Sequence, residues 1–231
     1  ESMKKIILSF VILGVAVGAY YVATSRDSAP VATPSATPEP SVSSNESAAT
    51  FTDGTYALDA ASSSMTWEGR KPLIPGYVDT GTVRIASGSA VVAEVKVTSG
   101  TVTVDLRTIT TKSTGAGKNE STMEKHLKSA DFFDVATYPS AQFVFTSLAP
   151  VLGSGAYTAE GTLTLKGITK PVQFPATMTQ QGSRLTMQAE AKLDRTLWGL
   201  KYGSGKFFQG LGDKLIDDMF TVRFTAVGIK K

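Results

Sequence analysis

Residues 157–166 read YTAEGTLTLK, and along this stretch apolar or small side chains alternate with polar ones. In an extended strand, Tyr157 and Leu163 lie on one face, whereas Glu160 and Lys166 lie on the other. Such alternation is typical of an antiparallel strand that buries one face and exposes the other to water. The stretch therefore predicts a half-buried strand.

The same two-residue period recurs along most of the chain that follows residue 55. It is clear in residues 172–179, 184–194 and 220–226, and glycine-containing turns separate the runs. About eight strands at this spacing predict an all-β fold, either an antiparallel barrel or a sandwich. A barrel of about eight strands encloses its own side chains or one small ligand. A hollow interior is favoured by small residues on the inward faces, namely Ala159, Gly161, Ala176, Ala189 and Ala191.

One short helix and one long loop interrupt the strands. Residues 121–124, Ser-Thr-Met-Glu, have the spacing of a capping box, in which the serine and glutamate side chains bind free backbone N–H groups. The box predicts a helix that continues to about Ser129. The glycine-rich, aromatic segment 195–218 is too long for a hairpin turn, so it is predicted to be a lid or a covering loop.

The first fifty residues differ from the rest. Lys4 and Lys5 precede an almost wholly apolar run, residues 6–23, which is typical of an export signal. Residues 1–26 are therefore predicted to be a signal peptide or a transmembrane anchor. The length of the run, close to the roughly 20 residues of a spanning helix, favours an uncleaved anchor.

Residues 27–50 are rich in Ser, Thr, Ala and Pro, and too poor in apolar side chains to form a core. They are predicted to be a disordered linker that reaches about 27 Å on average and about 75 Å when extended. Residues 51–231 then form the folded domain. The positive-inside rule places this domain outside the cytoplasm, in the periplasm or cell envelope, tethered to the inner membrane.

Composition argues against several classes of function. The net charge is +3, and the basic residues are scattered, which is not the footprint of a nucleic-acid-binding protein. The chain has no cysteine and a single histidine, His126, so disulfides, thiolate chemistry and a His- or Cys-based metal site are not expected. Asp217 and Asp218 are adjacent and poorly placed for paired acid–base work. No catalytic residues are predicted.

Five stretches together resemble one family. They are YALDAASSSMTW at 56–67, HLKSADFFDVATYPSAQF at 126–143, GTLTLKGITKPVQFP at 161–175, LDRTLWGLKYGSG at 193–205 and GDKLIDDMFTVRF at 212–224. Their content and order resemble the YceI-like proteins, and the resemblance covers about residues 54–228. It implies an extended, lipocalin-like antiparallel barrel whose hydrophobic tunnel accommodates a long polyisoprenoid or a similar amphiphile.

The resemblance and the sequence pattern together predict a non-enzymatic protein that carries or sequesters an isoprenoid or quinone-like lipid in the cell envelope. The expected partners are that lipid and the membrane, with a homodimer left open. The residues expected to line the tunnel are Trp67, Phe132, Phe133, Phe143, Phe145, Leu163, Phe174, Met187, Trp198, Tyr202, Phe207 and Phe224.

Three alternatives remain open from the sequence. The aromatic residues of the long loop, including Trp198, Tyr202 and Phe207, either line the tunnel or plug one barrel end as ordinary core. The whole barrel could instead be packed solid and dock another protein. A lipid-modifying enzyme would need an inward polar group, for which the sequence offers only His126, Asp131 and Glu68.

Overall fold

A computed structural model describes residues 50–115 and 120–231. The predicted anchor, residues 1–26, and nearly all of the predicted linker lie outside the described residues. Within the described ranges, every helix is too short or too polar to cross a membrane.

The described residues form nine β-strands and one α-helix, together with two short 3₁₀ turns. The strands and the helix are β1 (Gly54–Leu58), β2 (Ser64–Arg70), β3 (Val78–Ala93), β4 (Lys96–Ser113), α1 (Glu120–Lys128), β5 (Ser140–Val151), β6 (Ala156–Leu165), β7 (Ile168–Gln181), β8 (Arg184–Asp194) and β9 (Met219–Lys230).

The strands close into an antiparallel barrel with eight positions around its circumference. From β2 the order runs through β9, β8, β7, β6, β5, β4 and β3, and β3 pairs with β2 again. Strand β1 also pairs with β3 and β9, so β1 and β2 occupy successive parts of one position. At the break between them, Val227 N donates to Ser63 Oγ at 3.0 Å, and Asp59 N donates to Val227 O at 2.7 Å. The prediction of an all-β barrel of about eight strands with one short helix is confirmed.

The connections between strands divide the barrel into two ends. The β2–β3, β4–β5, β6–β7 and β8–β9 connections lie at one end, here called the helix end because the β4–β5 connection contains α1. The β3–β4, β5–β6 and β7–β8 turns lie at the other, here called the hairpin end. The hairpin end is packed by a buried cluster of Phe51, Tyr56, Val92, Tyr157, Met178 and Leu185.

Helix α1 begins at Glu120, one residue before the predicted cap. The Glu124 carboxylate accepts a hydrogen bond from Thr111 N at 2.9 Å, so this side chain ties the helix to β4. Leu127 is buried against the barrel core, which fixes the helix over one end of the interior. The long β8–β9 connection, residues 195–218, lies at the same end as the helix, as expected of a covering loop.

Small inward residues accommodate aromatic rings. A Cβ atom at Gly161 would lie 2.5 Å from the Phe143 ring, and Ala159 is fully buried in a cluster with Phe145 and Phe174. Small side chains at these positions therefore do not by themselves produce the hollow that the sequence suggested. They create the room into which larger neighbours fold.

Gly81 in β3 gives the sharpest steric case. A Cβ atom there would overlap Thr110 O and lie 2.6 Å from Trp67 Nε1, which donates to Thr110 O at 3.1 Å. We expect Gly81→Ala to lower the free energy of unfolding by about 1–3 kcal/mol, because the indole and the strand have to move apart.

Denaturant unfolding measures this change, and Gly69→Ala in β2 is the matched control, since nothing lies within 4 Å of its added Cβ. The control should change stability by less than about 0.5 kcal/mol. Equal effects of the two substitutions would show that Trp67 is not held against Gly81.

Candidate ligand-binding cavity

The barrel interior contains a cavity with an almost wholly apolar wall. The cavity has a volume of about 290 Å³. Known ligand sites start at about 300 Å³, so this volume is close to the lower end of their range. The interior is therefore not packed solid.

The cavity is elongated along the strands. Every second residue of β9 from Phe220 to Gly228 lies on its wall, and the first and last of them are eight residues apart along the strand. At about 3.3 Å per residue the wall extends about 26 Å along the strand, or about 20 Å along the axis of a barrel with tilted strands. A space of this shape suits a long chain better than a compact molecule.

The structure brings nine of the twelve predicted tunnel residues together on this wall. They are Trp67, Phe132, Phe133, Phe143, Phe145, Leu163, Phe174, Met187 and Phe224. Three of their rings form a continuous series, with centroids 5.4 Å apart between Phe143 and Phe174, and 5.7 Å apart between Phe174 and Phe224. These rings give the middle of the cavity a rigid apolar surface.

The other three predicted residues lie outside the wall. Trp198 is buried in the core, where its Nε1 donates to Leu163 O at 3.0 Å and fastens the long loop to β6. Of the two alternatives for the loop aromatics, tunnel lining or ordinary core, Trp198 therefore fits the second. Tyr202 and Phe207 are 44% and 46% exposed, so they neither plug the barrel nor line the cavity. These three aromatics could not be told apart from the sequence, because loop residues follow no period.

His126 joins the helix to the long loop. Its ring lies edge-on to Tyr202 and Phe132, with centroids 4.5 Å and 4.9 Å away, and its Nε2 lies 3.5 Å from an Asp131 carboxylate oxygen. Neither His126 nor Asp131 is on the cavity wall. Glu68 is on the wall, but Arg70 and Arg223 pair with its carboxylate.

A polar group of three residues, which sequence reasoning missed, lies on the wall at the helix end: Asp79, Arg195 and Asp217. This group is called the polar end of the cavity. Asp79 is 9% exposed and accepts from Gly115 N at 3.0 Å, and burial raises the pKa of its carboxyl. The two-residue period of β3 could have found Asp79, because Asp79 has the same parity as the apolar residues Val83 and Ile85.

Arg195 holds the long loop in place. Its Nε donates to Asp217 O, its Nη1 to Leu200 O and Tyr202 O, and its Nη2 to Ile216 O and Asp218 Oδ1, over distances of 2.7 to 3.4 Å. A guanidinium has five N–H donors, so all five are used within the protein. Arg195 therefore organises the polar end but retains no donor for a ligand.

Fold and cavity together define a class: an eight-stranded antiparallel barrel closed around an elongated apolar space. A family model described as the YceI-like domain matches residues 56–227. The chain therefore belongs to the YceI-like family, as the resemblance of its motifs predicted.

Relatives and solved structures agree with this assignment. A UPF0312 protein of Pseudomonas putida is 39% identical over 118 residues, which are 48% of this chain and 57% of that protein. Protein YceI of Escherichia coli O157:H7 is 34% identical over 103 residues, which are 42% and 53% of the two chains. This chain thus spans just over half the length of these curated relatives.

Two solved structures share the fold. BcnA of Burkholderia cenocepacia has a TM-score of 0.58 at 23% identity, over 74% of this chain and 98% of its own. A polyisoprenoid binding domain from Saccharophagus degradans has a TM-score of 0.53 at 16% identity, over 76% and 98% of the two chains. At these identities the likeness concerns the fold alone.

The raised pKa of Asp79 gives a prediction about stability and pH. The folded protein keeps this proton to a higher pH than the unfolded chain, so ionisation of Asp79 destabilises the fold as the pH rises above about 3.8. We expect Asp79→Asn to raise the free energy of unfolding at pH 7, because an amide oxygen still accepts from Gly115 N. The gain should disappear as the pH falls towards 3.8.

Asp105→Asn is the control of opposite sign, because hydrogen bonds from the Arg107 side chain lower the pKa of Asp105. This substitution should reduce stability at pH 7, and the loss should shrink in acid, as the wild-type carboxylate becomes protonated. Chemical denaturation across the pH range measures both. A loss of stability in Asp79→Asn that is the same at every pH would contradict the account.

Proposed function

We propose that this domain binds a long isoprenoid or quinone-like lipid in its barrel, carries or sequesters it, and catalyses no reaction. The observation that carries the proposal is the elongated apolar cavity. A solid, protein-docking barrel would lack this space. The name of the Saccharophagus degradans domain, which shares the fold, supports a polyisoprenoid as the ligand.

The energetics favour exchange with a membrane. Transfer of a hydrocarbon chain from water into the cavity gains about 0.8 kcal/mol for each buried methylene. A lipid bilayer offers nearly the same gain, so movement of the chain between bilayer and barrel is close to neutral in free energy. Reversible loading of this kind suits a carrier or a store.

The polar end of the cavity favours a lipid with an uncharged head group. Arg195 has no free N–H, and both Asp79 and Asp217 bring carboxyl groups. A phosphate placed here would meet the carboxyl groups of Asp79 and Asp217, and Arg70, the other cation on this wall, is already paired with Glu68, so burial of the phosphate is costly in a partly dry site. An uncharged head group does not meet this repulsion, and a hydroxyl can donate a hydrogen bond to a carboxyl oxygen of Asp79.

The absence of catalysis is part of the proposal. The three candidates from the sequence do not form a reactive pair in the cavity, since His126 and Asp131 lie off its wall and Glu68 is neutralised by two arginines. A general acid or base must approach the reacting atoms of the substrate within hydrogen-bond distance. These positions favour binding over chemistry.

Location in the cell envelope also belongs to the proposal. Support comes from the sequence of residues 1–50, in which a basic, apolar segment precedes a polar linker. A tether of this kind holds the barrel near the inner membrane, where an isoprenoid lipid is available. The homodimer remains a prediction.

The experiment blocks the cavity from inside. Val172 of β7 lies on the wall, and the neighbouring Gln173 is exposed on the outer face of the barrel. We expect Val172→Trp to weaken binding of a long-chain polyprenol by at least about tenfold. The indole would displace at least about two methylene groups of the lipid from the cavity, and the burial of two methylenes contributes more than about 1.4 kcal/mol to binding. Fluorescence or calorimetric titration of the purified full chain measures the affinity.

Gln173→Trp is the matched control, since it adds the same side chain outside the barrel, and it should leave polyprenol binding unchanged. A polyprenyl phosphate of equal chain length should bind the wild-type protein more weakly than the polyprenol does. If Val172→Trp folds and binds polyprenol as tightly as the wild type, the cavity is not the lipid site.

A further inference from the structure

The geometry points to a second lipid contact, on the outside of the barrel. We infer that the long β8–β9 loop docks the helix end on the surface of an anionic phospholipid bilayer. The docking face consists of Leu197, Tyr202, Phe207 and Phe208 with the lysines that accompany them. This inference goes beyond the binding of a lipid in the cavity, and it does not depend on the N-terminal segment.

The docking face exposes unusually large apolar side chains. Leu197, Tyr202, Phe207 and Phe208 are between 44% and 50% exposed, and they fall within twelve residues of one loop. Single exposed apolar residues are common on protein surfaces, but a concentration of them marks an interaction site. The four exposed side chains therefore indicate a surface that binds a partner.

The loop holds these side chains outward in a fixed conformation. Ser204 is fully buried, and its backbone oxygen accepts from Phe207 N at 3.2 Å and from Phe208 N at 3.0 Å. Arg195 joins the two halves of the same loop, and Trp198 fastens the loop to β6. Exposure of the aromatic rings is thus a property of a well-bonded loop, which is organised before any partner binds.

Lysines surround the aromatic side chains. Lys201, Lys206 and Lys214 lie in the same loop, and Lys201 Nζ is 4.8 Å from the centre of the Phe207 ring. Lys206 pairs with Asp194 and Asp218, so Lys201 and Lys214 are the two lysines that can reach lipid phosphates. Residues 195–218 carry four basic and three acidic residues, a net charge of 4 − 3 = +1. Aromatic residues that enter the interface while lysines reach the lipid phosphates are typical of peripheral membrane contact.

Charge also separates a bilayer from a second copy of the chain. A symmetric dimer would place the same face of each copy against the other, so Lys201 and Lys214 would meet like charges. An anionic bilayer presents the opposite charge, and each lysine near its surface strengthens binding. The observations therefore favour the membrane surface as the partner.

The docking face is continuous with the cavity. The Tyr202 ring lies 5.6 Å from that of Phe132, and Phe132 is on the cavity wall. The same loop supplies Arg195, Leu200 and Asp217 to the wall. Contact through this face would bring the polar end of the cavity close to the lipid head groups, where a ligand enters or leaves the bilayer.

The predicted tether is long enough to allow this orientation. Phe51 lies at the hairpin end, where its N donates to Val95 O at 3.0 Å, so the chain enters the barrel opposite the docking face. Strand β9 has 12 residues, which corresponds to about 30 Å along the barrel axis. A linker over residues 27–50 that extends to about 75 Å can pass alongside the barrel.

The test uses the absence of cysteine in the full chain. Phe208→Cys places an environment-sensitive fluorophore on the docking face, and Leu152→Cys places it at the hairpin end, where Leu152 is 94% exposed. Both proteins are mixed with vesicles of phosphatidylglycerol and phosphatidylcholine. We expect the emission of the label at 208 to shift to shorter wavelength, whereas the label at 152 remains in water.

Charge reversal provides the second arm. In the protein labelled at 208, we expect Lys201→Glu together with Lys214→Glu to weaken vesicle binding. The ratio of label in the membrane to label in water, measured from the emission, should fall by at least about tenfold. Vesicles of phosphatidylcholine alone should have a similar effect. Because these residues lie off the cavity wall, polyprenol binding should stay unchanged, which separates this inference from the proposed function.

Two outcomes would overturn the inference. Equal responses of the labels at 208 and 152 would show that the docking face has no preference for the membrane. Shielding of the label at 208 without vesicles, rising with protein concentration, would identify a second copy of the chain as the partner.

Discussion

Closure of the hydrogen-bonded ladder is the constraint on which the rest of this structure depends. Each of the eight positions around the barrel has neighbours on both sides, so alternate side chains must face one enclosed interior. Even the break between β1 and β2 is bridged, because Ser63 replaces a backbone partner for Val227. Aromatic rings such as Phe143 fill part of the interior, and an elongated apolar space remains.

The two ends of the barrel interior differ in polarity, because the charged residues of its wall lie at the helix end. All N–H donors of the Arg195 guanidinium bind oxygen atoms of the long loop. These bonds hold Arg195 on the cavity wall and keep the aromatic side chains of the loop on the outside. Asp79 and Asp217 then set the polarity of that end. The hairpin end, in contrast, is closed by a buried cluster around Tyr56 and Tyr157. One arginine therefore connects the conformation of the loop with the polarity of this end of the cavity and with the outer surface.

The sequence predicted the barrel and most of its wall, because a two-residue period assigns each strand residue to a face. It could not place Trp198 and Phe207, since a loop has no period and burial there depends on contacts such as the bond from Trp198 to Leu163. Gly161 suggested a hollow interior for a different reason. Its lack of a side chain leaves room for the neighbouring Phe143 ring and does not by itself create empty space. Arg195 gave no signal, since its partners are backbone oxygens that become adjacent only when the loop folds.

The most direct test of the central claim is the content of the barrel itself. The full chain, purified under native conditions and then extracted for mass spectrometry, should yield an isoprenoid or quinone-like lipid with an uncharged head group, at about one molecule per barrel. Protein that is repeatedly free of lipid, and that takes up neither a polyprenol nor a quinone when these are offered, would contradict the account. The barrel would still stand, but its interior would not be a lipid site.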